Sequence, residues 1–209
     1  VLYAGTWGKG VYYRSSGMSE WALGGALDSG YNYVRAMSCD SAGNLYAADP
    51  DLAIYRLESS SQTAWQRLAS TNLPGSDSIL CLFSDSDNRL YMGLLSGGVY
   101  SYAPGSSYYN GRWEAVGSLS GVEARVMIEG PDGKIWLATN AGIRCLENSQ
   151  WAGPLAGAEG LYVTALLRNP DIADQVLLGT NNGEVYSYSA QQGMAPIAGL
   201  GIPAGKRVW

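Results

Sequence analysis

The chain has 209 residues, in which Lys and Arg number 13, Asp and Glu 18 and His none, giving a net charge of −5. So acidic and sparsely charged a chain excludes a nucleic-acid partner, because neutralising phosphates takes clustered cations, and the want of histidine removes Ser-His-Asp catalysis and the commonest metal ligand. The 28 glycines, 15 tyrosines and 7 tryptophans suit short strands and tight turns rather than helices, and no apolar run approaches the ~20 residues of a membrane helix, so no membrane insertion is expected.

From the N-terminus, Leu2-Tyr-Ala-Gly-Thr6 reads as a strand, a Gly-bearing turn follows, and Val11-Tyr-Tyr-Arg14 reads as a second strand. The first pattern returns as Leu45–Asp49, Leu90–Leu94, Ile135–Thr139 and Val176–Thr180, at spacings of 43, 45, 45 and 41 residues. The second returns as Ile54–Leu57, Val99–Tyr102, Ile143–Leu146 and Val185–Tyr188. A third strand in each repeat opens on a large side chain, Trp21, Trp65, Trp113, Trp151 and then Met194, expected to plug the gap between neighbouring repeats. Several strands in a period in the forties mark the blades of a β-propeller.

Four repeats are preceded by a further strand, Val34–Met37, Ile79–Leu82, Ala124–Met127 and Val163–Leu166, joined to the next by turns such as Asp40-Ser-Ala-Gly43, Asp85-Ser-Asp-Asn88 and Pro131-Asp-Gly133. The first repeat lacks this strand, and the chain ends on Gly205-Lys-Arg-Val-Trp209. Counting from Val176 through Trp209 to Leu2 leaves about 35 positions, short of the other spacings by about one turn. The expectation is one all-β domain over residues 1–209, a five-bladed propeller of four antiparallel strands per blade, closed by pairing the C-terminal strand with the N-terminal ones. Closure removes the open edge on which other chains could add.

The strings Leu-Tyr-Ala-Gly-Thr-Trp-Gly-Lys-Gly-Val-Tyr and Ile-Trp-Leu-Ala-Thr-Asn-Ala-Gly-Ile resemble the repeats of the two-component-regulator and BNR-like propellers, which occur in bacterial sensor ectodomains and glycan-active proteins. The resemblance covers nearly the whole chain and implies the fold more strongly than a function. The Asp-box of the BNR group is not matched, since Ser15–Trp21 carries its closing Trp without the Asp, and this argues against a sialidase. Extracellular or periplasmic placement is favoured if a leader has been removed.

Aligning the innermost strands sets Arg35, Leu80, Arg125, Thr164 and Arg207 at one height, so that three guanidiniums would line the channel as an anion site, or be offset by acids such as the adjacent Glu123. The rim loops gather Trp7, Lys9, Tyr31, Tyr33, Asn140, Tyr162, Asn181 and Asn182, aromatics beside amides as a sugar-binding surface uses them. These residues point to a non-catalytic module for a glycan or another small polar or anionic ligand. Two other classes stay open: a carboxylate-based glycosidase or lyase in the channel, and a scaffold or sensor propeller for a protein partner. No cofactor is expected. Asp85–Asn88 and Asn169–Asp174 read as Asx turns rather than calcium loops, and Cys39, Cys81 and Cys145, without CxxC spacing, read as buried thiols.

Overall fold

The computed structural model describes residues 1–25, 27, 32–69, 71–73, 77–119, 121–199 and 206–208. Among them the only helix is a 3-10 turn, Tyr108–Asn110, and the rest of the regular structure is five sheets.

The first sheet holds β1 (Leu2–Gly5), β2 (Val11–Arg14) and β3 (Ala22–Leu23), and the second holds β4 (Ala36–Cys39), β5 (Leu45–Ala48), β6 (Ile54–Leu57) and β7 (Gln66–Arg67). The third holds β8 (Ile79–Ser84), β9 (Leu90–Leu94), β10 (Val99–Ala103) and β11 (Arg112–Ala115). In the fourth are β12 (Val126–Glu129), β13 (Ile135–Thr139), β14 (Gly142–Glu147) and β15 (Gln150–Trp151), and in the fifth β16 (Val163–Arg168), β17 (Gln175–Thr180), β18 (Val185–Ser189) and β19 (Gly193–Pro196). Every sheet is a meander in chain order, as the repeat requires. The chain divides into two compact units, Val1–Met92 with Tyr100–Glu114 and Gly93–Val99 with Ala115–Trp209.

Two kinds of hairpin recur among the repeats, and side chains fix most of them. At one end of the sheets, the amides of Gly43, Asn88 and Gly133 donate to the carbonyls of Asp40, Asp85 and Gly130, each at 3.0 Å. These three residues have φ of 82°, 61° and 73°, which glycine and asparagine tolerate where other residues are strained. Carboxylates cap the same turns: Asp85 Oδ1 accepts from the amides of Asp87 and Arg89, at 3.1 and 2.7 Å. Likewise Asn169 Oδ1 accepts from the Asp171 amide at 2.9 Å. These oxygens are engaged as Asx turns, and no group of three metal-ligating side chains occurs among the described residues.

At the other end, a hydroxyl or carboxylate staples the hairpin. Thr6, Thr139 and Thr180 Oγ1 donate to the carbonyls of Gly10, Gly142 and Glu184 at 2.7, 2.8 and 3.2 Å. In the second repeat Asp49 Oδ1 accepts from the amides of Asp51 and Ala53, each at 2.9 Å. Asp49, Thr139 and Thr180 are buried, and their hydrogen bonds satisfy that burial.

In the first unit the core is Val11, Leu27, Leu45, Ala47, Ala53, Tyr55 and Leu57, and in the second Trp136, Ala138, Ile143, Ala158, Val163, Leu166, Val176 and Leu178. Each cluster lies between successive sheets, which is the packing that propeller blades use. The tryptophan plugs serve it unequally. Trp65 Nε1 donates to the Gly24 carbonyl at 2.8 Å and Trp151 Nε1 to that of Val116 at 2.7 Å, each reaching back to the preceding repeat. Trp113 is fully buried, whereas Trp21 is 43% exposed with the Arg14 guanidinium 5.6 Å above its ring.

The alignment of the C-terminal segment needs correction. Gly205 and Trp209 lie outside the described residues, and Lys206–Val208 are not in a strand. The Val34 amide donates to the Thr6 carbonyl at 2.9 Å, and the Val208 amide donates to that of Thr180 at 3.2 Å. Thr164 Oγ1 also donates to the Val208 carbonyl. A Cβ added to Gly5 would lie 2.5 Å from Val34 Cγ1, and one added to Gly179 would lie 2.4 Å from Val208 Cγ1. The glycine in the middle strand therefore makes room for a valine, and Val208, not Lys206, takes the place of Val34. With Val208 in the place of Val34, Arg207 falls two positions before the one that matches Arg35, out of register with Arg35 and Arg125.

No disulfide joins the cysteines: Cys81 is buried and Cys145 half-buried, as the strand contexts suggested, but Cys39, at the end of β4, is exposed. Burial, then the Asp132 charge, pushes the Cys145 thiol up to about 11; burial and Asp40 raise that of Cys39. A thiol reagent at neutral pH is expected to modify Cys39 alone in the folded protein, slowly for want of thiolate, and all three cysteines in denaturant. Intact-mass analysis counts the adducts.

Candidate functional site

The rim residues fall into one cluster in each unit. In the first unit, the hairpin after β1 is held by the amides of Gly8 and Gly10 donating to the Asn32 carbonyl, at 3.2 and 2.9 Å. Lys9 caps it through its amide to Thr6 Oγ1 at 3.2 Å, leaving its side chain exposed. Trp7 and Tyr33 form an isolated antiparallel bridge, and their rings stack at 4.7 Å and 26°. Trp7 nevertheless stays 67% exposed. A large ring is thus supported from below and open above, on a loop whose backbone is already fixed.

Arg35 follows this pair by two residues, and its amide donates to the Ala48 carbonyl at 2.7 Å. Its Nε donates to the Ile79 carbonyl at 3.2 Å, and the side chain remains exposed. Tyr31 lies outside the described residues.

In the second unit the organising group is Glu123. Arg125 meets its Oε2 through Nε at 2.6 Å and Nη2 at 2.5 Å. Tyr162 Oη donates to the same oxygen at 2.6 Å and accepts from Arg125 Nη2, while the guanidinium lies 4.7 Å from the centre of the Tyr162 ring. Asn140 Oδ1 accepts from the Glu123 amide at 3.1 Å, and the Asn181 amide donates to the Tyr162 carbonyl at 2.9 Å. The hairpins therefore bring Arg125, Asn140, Tyr162 and Asn181 together around one carboxylate, with Asn182 exposed beside them.

The charge balance alters the anion reading. Arg125 already has its own carboxylate, and Glu123 and Arg125 keep only 23% and 19% of their side-chain surface in solvent. Burial disfavours ionisation of Glu123, but hydrogen bonds from Tyr162 and Arg125 outweigh it and hold the carboxyl below its usual range. A carboxylate so held is a poor proton donor at neutral pH. Burial, then Glu123, raises Tyr162, so it stays a neutral hydroxyl.

Because the folded pKa of Glu123 is depressed, its stabilising share is present above the unfolded value of about 4.3 and is lost as pH falls through the folded value. E123Q is therefore expected to be less stable than wild type at pH 7, with the gap closing below about pH 4. Urea midpoints across pH read this; a gap that persists in acid contradicts it.

Arg35 and Arg125 make equivalent backbone hydrogen bonds, each within its own sheet. Arg35 faces Ala48 as Arg125 faces Ala138, whose carbonyl accepts the Arg125 amide at 3.0 Å. Thr164 occupies the bulge between Val163 and Ala165, and its hydroxyl bonds the Gly179 and Val208 carbonyls. The role of Glu123 as hub was visible only as an alternation: on a strand, residues two apart face one side.

No known protein family and no curated protein matches the sequence. Among solved structures, the extracellular domain of the putative one-component system BT4673 from B. thetaiotaomicron is 18% identical with a TM-score of 0.74, over 99% of this chain and 28% of that one. The extracellular domain of the putative hybrid two-component system BT3049 from the same organism is 21% identical with a TM-score of 0.58, over 78% of this chain and 22% of that one. YCF48 bound to D1 peptide is 18% identical with a TM-score of 0.64, over 90% of this chain and 61% of that one. The chain thus spans little more than a quarter of the BT4673 ectodomain. These likenesses show the fold, a β-propeller-like array resembling the ectodomains of two-component regulators.

Proposed function

We propose that this chain is a non-catalytic propeller module of a sensor ectodomain, extracellular or periplasmic, that binds a glycan or another small polar ligand on its rim. In this reading residues 1–209 form one domain of five blades, closed between its N- and C-terminal segments; the place of Val208 beside Gly179, like that of Val34 beside Gly5, supports it. The exposed Trp7 ring stacked on Tyr33 carries the functional proposal. An aromatic face presented to solvent suits a pyranose ring, and a loop already fixed by hydrogen bonds loses little entropy on binding. In the first unit Lys9 and Arg35 would supply polar contacts beside Trp7; in the second, Asn140, Asn181, Asn182 and Arg207 would form a separate polar set, with Arg125 and Tyr162 holding loops through Glu123.

Neutral, hydroxyl-rich ligands are favoured over anions, because Arg125 is already neutralised by Glu123. The glycosidase or lyase reading loses support from Glu123, which is committed to Arg125 and Tyr162. A protein partner is the second reading, resting on the fold shared with regulator ectodomains. A glycan array decides between them. Wild type is expected to bind a subset of neutral glycans and W7A none; a wild type that binds no glycan removes the proposal.

A further inference from the structure

A second recessed surface lies at the other end of the fourth and fifth sheets, independent of the rim. From Arg125 the chain runs along β12 to Pro131, six residues of extended backbone and so about 20 Å away. There the second unit holds a cleft of about 440 Å³, within the size range of small-ligand sites. Its floor is Trp136, 4% exposed. Trp136 is locked by Nε1 donating to Asp132 Oδ1 at 2.9 Å and by an edge contact with Tyr188 at 5.3 Å. Ile172, Asp174 and Gln175 form one side, and the Ser189–Gln192 turn closes it. Gln175 Oε1 is fixed by Asn169 Nδ2 at 2.6 Å.

The lining selects by charge and shape. It contains two carboxylates, Asp132 and Asp174, and no Lys or Arg. The Lys134 ammonium outside the lining reaches Asp132 Oδ2 at 3.9 Å, so the charge that acts on a ligand here is that of Asp174. The tryptophan is buried to its edge and gives a sugar no open platform, unlike Trp7. What stands open is an aliphatic wall, Ile172 at 51% exposure, beside the exposed Asp174 carboxylate. From this geometry we infer a binding site for an ammonium or guanidinium on an aliphatic stem, the stem along Ile172 and Tyr188 and the cation at the exposed Asp174 carboxylate. Free polyamines and the Lys or Arg side chains of a peptide share that chemistry.

Calorimetry on the full chain with agmatine, spermidine, a capped arginine peptide and the neutral butyramide tests it. Agmatine or the peptide is expected to bind at least about tenfold more tightly than butyramide, with affinity falling as salt rises. D174N, at an exposed position, is expected to keep the wild-type melting point and lose at least about tenfold in affinity. Tighter binding by the peptide assigns the source to a protein partner, and tighter binding by the free amines assigns it to a polyamine. Equal binding of butyramide, an unaltered affinity in D174N, or no millimolar binding of any cation overturns the proposal. None of these outcomes bears on glycan binding at Trp7.

Discussion

W113A is expected to lose about 3–5 kcal/mol of unfolding free energy, the range for deleting a fully buried tryptophan. Trp113 sits at 1% exposure. Its ring meets Tyr102 at 5.1 Å and 53°, and its amide donates to the Thr71 carbonyl at 3.0 Å. Tyr102 in turn donates to the Tyr108 carbonyl and accepts from the Gly111 amide, at 2.7 and 2.9 Å, so the 3-10 turn rests on the same packing. Alanine would leave a void that these bonded partners cannot collapse into. Domains are stable by about 5–15 kcal/mol, so the loss is a large share of the total. W21A, at the repeat-equivalent but 43% exposed position, is expected to cost under about 1 kcal/mol. Urea unfolding of both variants measures the contrast; equal losses would mean that the tryptophans are not plugs graded by burial.

The second large effect is expected at Gly142. Its φ is 102°, and an added Cβ would lie 2.5 Å from the Ala158 carbonyl oxygen. Backbone cannot swing aside as a flexible side chain does, so G142A combines left-handed strain with overpacking, together about 2–5 kcal/mol. The effect reaches the rim, because the Gly142 amide donates to the Leu161 carbonyl at 2.7 Å and the same hairpin carries Asn140, which holds Glu123. Thermal melts measure the stability loss. G133A, where a Cβ would meet nothing within 4 Å at a φ of 73°, bears the backbone strain alone and is expected to cost about 1–2 kcal/mol. Equal costs would show that the contact with Ala158 carries no weight.

The fold was legible in the sequence because a propeller repeats its signals. Thr139-Asn-Ala-Gly142 and Pro131-Asp-Gly133 announce hairpins by local chemistry, and strand alternation needs no long-range knowledge. Register at the C-terminal segment was less legible. Lys206-Arg-Val-Trp209 aligns with Val34–Met37 on residue type, whereas the fit of a valine over Gly179 is a contact between distant segments that no local pattern records. At the site, Trp7 and Tyr33 could be named from the sequence, but their stacking, which leaves Trp7 exposed over a half-buried Tyr33, comes from a bridge between two loops. Arg125 shows the opposite outcome. Its charge suggested an anion site, and the short contacts to Glu123 turn it into a loop brace. The threonines at positions 6, 139 and 180 read as strand residues, while their hydroxyls are what staple the rim.

The central claim, a glycan-binding rim centred on Trp7, is tested most directly by titrating 15N-labelled protein with a neutral glycan and following the indole N–H signals of the 7 tryptophans. The signal absent from a W7F variant should shift in proportion to occupancy while that of Trp136 stays in place. Saturable binding that leaves the Trp7 signal unmoved would contradict the claim.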